Sequence, residues 1–64
     1  MSLSKMFDTL TDAGFVVSVN AAHTVITAEL TSRKICIMEV EHALGYHVNR
    51  RQLHSNGNGV TITE

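Results

Sequence analysis

The 64-residue chain has no tryptophan, three aromatic residues in all (Phe7, Phe15 and Tyr46) and a single cysteine, Cys36. With so few aromatics, the core has to come from Val, Ile, Leu, Met and Ala, which bury less area per residue. One cysteine excludes an internal disulfide and fits a reducing compartment, where a free thiol behaves as a small hydrophobe. No apolar run approaches the roughly 18 residues of a membrane-spanning helix, and no signal-peptide-like apolar stretch follows the N-terminus. A cytoplasmic protein without membrane contact is the expectation. Charge of either sign is also scarce. The net charge is −1, too small for a global attraction to nucleic acid or anionic lipid. It is unevenly spread: Lys5 faces Asp8, Asp12 and Glu29 in the first half, whereas Arg33, Lys34, Arg50 and Arg51 face Glu39, Glu41 and Glu64 in the second.

Motifs that carry chemistry are missing too. The sequence contains no G-x-S-x-G, no glycine-rich phosphate loop and no H-E-x-x-H. Glu39, Glu41 and His42 are close in sequence, but neighbouring positions on a helix diverge by about 100° and do not converge on a substrate. Cys36, His42, His47 and His54 lie five to seven residues apart, outside the separations usual for zinc pairs. The expectation is therefore no enzyme, no cofactor, no metal and no small-molecule substrate.

What is present is hydrophobic periodicity. Hydrophobic residues make up 44% of the chain, enough for one globular domain spanning residues 1–64 and too many for a disordered one. Leu3, Met6, Phe7 and Leu10 form one stripe of a helix, capped by Ser2 or Ser4 and ended by Gly14. Phe15 to Val19 and Thr24 to Leu30 are β-branched runs joined by a short loop, a hairpin whose second strand turns Ile26, Ala28 and Leu30 to one face. Thr31-Ser32 can cap a second helix over residues 33–44, ending at Gly45, and a strand from Lys34 to Val40 is the alternative. Tyr46 to Leu53 and Val60 to Thr63 read as a second hairpin around two Asn-Gly pairs. A faint repeat supports that order, since Ala13-Gly14-Phe15 is echoed by Leu44-Gly45-Tyr46. The predicted fold is a small two-layer α+β domain in αββαββ order, with helices packed on antiparallel hairpins.

Two binding functions suit such a chain. On a helix over 33–44, Val40 and Leu44 face the sheet while Ile35, Met38 and His42 form a second stripe, which a protein partner or a second copy of the chain would cover. A non-catalytic regulatory module, an adaptor or inhibitor acting by protein–protein contact, is the leading expectation. The first αββ unit, residues 4–30, resembles in its pattern the small docking domains of multienzyme assembly lines, whereas residues 46–64 depart from that pattern. The alternative is nucleic-acid binding. Residues 40–54 resemble a helix-turn-helix around Gly45, with Asn49 capping a short second helix. The resemblance implies contacts from Asn49, Arg50, Arg51 and Gln52, with Arg and Gln suited to base edges, and nucleic-acid binding would also need Arg33 and Lys34 on the face of Arg50 and Arg51. Glu41 stands where that motif wants alanine, and Leu53 comes late for its apolar anchor. This reading also requires Glu39 and Glu41 to point away from the arginines.

Overall fold

The Ser2 hydroxyl accepts a hydrogen bond from the Lys5 N–H at 3.2 Å and starts helix α1, Leu3–Asp12. Without such a cap the first helical N–H groups lack partners. Leu3, Met6 and Leu10 turn inward and are buried, with Phe7 at the margin. The helix stops at Gly14, whose φ of +99° suits a residue without a Cβ. There the Gly14 N–H donates to Thr11 O and the Phe15 N–H to Leu10 O, the paired bonds of a Schellman cap.

The computed structural model describes residues 1–64. After α1 the chain forms strands β1 (Val16–Val19) and β2 (Val25–Glu29), helix α2 (Ile37–Ala43), a 3-10 turn (Arg50–Gln52), and strands β3 (Leu53–Asn56) and β4 (Gly59–Thr63). The four strands form one antiparallel sheet in the order β1-β2-β4-β3. Both helices lie on the same side of it. This is the expected αββαββ domain. α1 packs on the first hairpin, while α2 meets β3 and α1. Ile26 and Ala28 of β2 and Val60 and Ile62 of β4 point into the core beneath the helices, and the opposite face carries Thr27, Thr61 and Thr63. The two central strands pair Ile26 with Ile62 and Ala28 with Val60.

Several expectations need correction. Residues 33–36 form neither the start of a helix nor a strand, and α2 begins at Ile37 with Cys36 as its N-cap. The reason is Ile35. Its N–H donates to Asn58 O at 3.0 Å in the β3–β4 turn, and its side chain drops into the core at 1% exposure. A helix through residue 35 would forfeit both. Tyr46 to Gln52 is no strand either. The chain leaves α2 through a second Schellman cap, with the Gly45 N–H donating to His42 O and the Tyr46 N–H to Glu41 O. The short sequence repeat is therefore a repeat of helix ends. Nor is there a second helix of helix-turn-helix type. Asn49 does cap, its Oδ1 accepting from the Arg51 N–H at 2.9 Å, but what it caps is a single 3-10 turn.

The second hairpin forms, with Gly57 and Asn58 as its two-residue turn in place of an Asn-Gly pair. Positive φ falls on Gly57 (60°) and not on Asn58, which matches a turn with glycine at its first central position. Gly59 serves another purpose. A Cβ there would sit 2.6 Å from the Ala28 carbonyl oxygen, so its glycine lets β4 lie tight against β2.

Candidate functional site

Helix α2 is only seven residues long, and a helix so short owes its stability to what surrounds it. Val40 is buried against the sheet, and the Glu39 carboxylate accepts from the Cys36 N–H at 3.3 Å, tying the first turn together. The face left over carries Met38 and His42. The Schellman cap then throws Tyr46 back beside them, so that the His42 and Tyr46 rings meet edge to face with centroids 6.1 Å apart. Tyr46 has a φ of +61°, a left-handed conformation that costs a non-glycine residue roughly 1–2 kcal/mol. Met38 is 65% exposed and Tyr46 66%.

Between this face and the end of α1 runs an open groove of about 530 Å³, lined by Ala13, Phe15, Met38, Glu39, His42, Ala43 and Tyr46. Its walls are mostly apolar. The one carboxylate among them is already held: the Arg33 guanidinium grips Glu39 through both nitrogens at 2.9 and 2.7 Å. That fork holds the Glu39 carboxyl at about 2, well below its ordinary 4.5. The hydrogen bond from Arg33 is the main cause, and the Cys36 N–H contributes in the same direction.

Of the three residues expected at a protein interface, Met38 and His42 lie in this groove and Ile35 does not. Ile35 belongs to the core because it precedes α2 and is not on its wheel. Phe15, Ala13 and Tyr46 were not expected at the site. A signal for Tyr46 existed, since it stands four residues after His42 and directly follows the helix-ending glycine.

The six residues of the basic surface are scattered in role. Arg33 is committed to Glu39, and its Nη1 also donates to Lys34 O at 3.2 Å. Arg50 Nε lies 3.6 Å from Glu41. Asn49 is a cap. Gln52 is anchored structurally, its Oε1 accepting from the Asn49 N–H and its Nε2 donating to Thr63 O at 2.8 Å. Lys34 and Arg51 are exposed and have no ion pair. Both glutamates thus turn toward the arginines. No three His, Cys, Asp or Glu side chains are grouped so that they could hold a metal ion.

Comparison with known proteins finds no family model, no curated protein and no solved structure that matches this chain.

Proposed function

We propose that this chain is a small non-catalytic module that acts by binding another protein, with the groove beside α2 as its contact surface. The observation that carries the reading is the pair of large side chains flanking that groove, Met38 and Tyr46, each about two-thirds exposed. Solvent contact at both forfeits about two-thirds of the roughly 1.5–3 kcal/mol that full burial of a large apolar side chain contributes. Tyr46 is held there in a strained backbone conformation, and such strain gathers at binding sites. Methionine adapts its shape to an incoming apolar group. The groove is open along its length, whereas a small-molecule site encloses most of its ligand. Its occupant is a set of apolar side chains on a partner protein, and the ion-paired Glu39 leaves no unmatched charge to oppose it.

Nucleic-acid binding lacks comparable support. Two of the four cations in the second half are neutralised by Glu39 and Glu41, and Lys34 and Arg51 alone supply few phosphate contacts.

Photocrosslinking tests the proposal. A benzophenone side chain at position 38 should give one adduct of discrete mass in an extract of the source cells. The same group at Lys5, on the exposed side of α1, should give none. Tyr46→Asn should abolish the adduct at position 38, because asparagine keeps the left-handed backbone while removing the ring. The same adducts from both positions, or none from position 38, would overturn the assignment.

A further inference from the structure

We infer that β1 is a self-pairing edge, through which two copies of the chain join antiparallel into one continuous sheet. The strand order β1-β2-β4-β3 leaves β1 at one margin. Its residues pair one to one with β2, from Val16 with Glu29 to Val19 with Ile26, with no bulge to twist the edge away. The Asn20 N–H donates to Val25 O at 3.0 Å, which sets the alternation of the ladder. Ser18 and Val16 therefore spend their backbone groups on β2, while the N–H and C=O of Val17 and Val19 point outward.

Protected edges carry lysine, proline, inward charges or a covering segment. Val16-Val17-Ser18-Val19 has none of the first three, and the main packing of β1 is on α1 and β2. Val16 is 49% and Val19 42% exposed. The opposite margin, β3, differs: its one large apolar residue, Leu53, is buried, and His54, Ser55 and Asn56 follow.

A strand that completes this edge has to present apolar side chains at two alternate positions on the helix side and no charge between them. β1 itself meets that requirement. A two-fold axis at Ser18 places Val17 opposite the second copy's Val19 and Val19 opposite its Val17, with the outward backbone groups of each pair exchanging hydrogen bonds. The two Ser18 side chains then face each other across the axis on the open side of the sheet. One strand is used twice, as a two-fold interface demands, and a net charge of −1 per chain raises little repulsion. The groove beside α2 is not part of this contact, so the pairing is independent of the proposed partner site.

Position 18 supplies the test. Opposed residues of a pair without mutual backbone bonds have Cα atoms about 4.5 Å apart, within the span of a disulfide. In a Cys36→Ser background, Ser18→Cys should form a covalent dimer with oxidised glutathione, and the control Ser55→Cys on β3 should react far more slowly. Sedimentation equilibrium of the wild type at high micromolar concentration should give twice 7.0 kDa. Ser18→Lys, which sets two ammonium groups against each other, should return it to one chain, with a melting profile that matches the wild type at dilutions where the wild type is itself one chain. Met38→Glu should leave the dimer intact, which separates this result from the fate of the groove. A wild-type mass of one chain at that concentration, or equal crosslinking from positions 18 and 55, would overturn the inference.

Discussion

Ile35 and Met38 have opposite surroundings although one helical turn would have aligned them. Ile35 is 1% exposed and belongs to the hydrophobic core, whereas Met38 points into solvent beside the groove. Truncating the first leaves a hole that the rigid surroundings fill only in part; changing the second leaves nothing unpaired. Ile35→Ala should therefore cost about 2–5 kcal/mol, much of the stability of a domain with about 5 kcal/mol in hand. Met38→Glu should stay within about 0.5 kcal/mol of the wild type. Urea unfolding midpoints decide the matter, and equal losses for the two variants would contradict the placement of residue 35.

At the scale of the element, α2 depends on its first turn. The Glu39 carboxylate answers the Cys36 N–H and holds Arg33, so it joins the residues before the helix to the helix itself. Its folded-state carboxyl at about 2 lies below the ordinary 4.5. The stabilising contribution is thus complete above 4.5 and is lost as pH falls toward 2, the direction required when the unfolded state binds the proton more readily. Glu39→Gln lacks the titrating group. The gap in urea midpoint between wild type and Glu39→Gln should be constant near neutrality and close between 4.5 and 2. Because the Arg33 side chain is half exposed, molar salt should narrow the gap near neutrality, where the carboxylate is ionised. A gap that widens on acidification would rule out the ion pair as its source.

Across the whole molecule, two of the four cations of the second half are paired with carboxylates. Arg33 pairs with Glu39 and Arg50 with Glu41, which leaves Lys34 and Arg51 as the cations of that half without an ion pair. The wild type should pass through immobilised heparin at about 50 mM salt, and replacing Arg50 and Arg51 together by alanine should change nothing. Retention that weakens with salt and disappears in the double variant would restore the nucleic-acid reading. The net charge of −1 likewise raises little repulsion between copies that would meet along β1.

Elements governed by near neighbours were legible in the sequence. The Leu3, Met6, Leu10 stripe, the Ser2 cap, both helix-ending glycines and the Ile26 and Ala28 alternation each depend on a few adjacent residues, and each stands where its pattern puts it. The residues flanking α2 behave otherwise. Residues 33–36 read as the start of a helix, with a strand as the alternative, and both were overruled by Asn58, far along the chain, whose carbonyl takes the Ile35 N–H. Asn49 signalled a cap, but helical propensity had no means of showing that Gln52 would reach Thr63 and stop the turn after three residues. The groove is likewise invisible in one dimension, because Phe15 and Tyr46 come together only when two Schellman caps and the sheet order bring the ends of α1 and α2 side by side. Local pattern determines which segments bury a face and where helices end. The tertiary structure decided where α2 starts, which glycine makes the second turn and which side chains remain outside, since those outcomes rest on burial and hydrogen bonds supplied by residues distant in sequence.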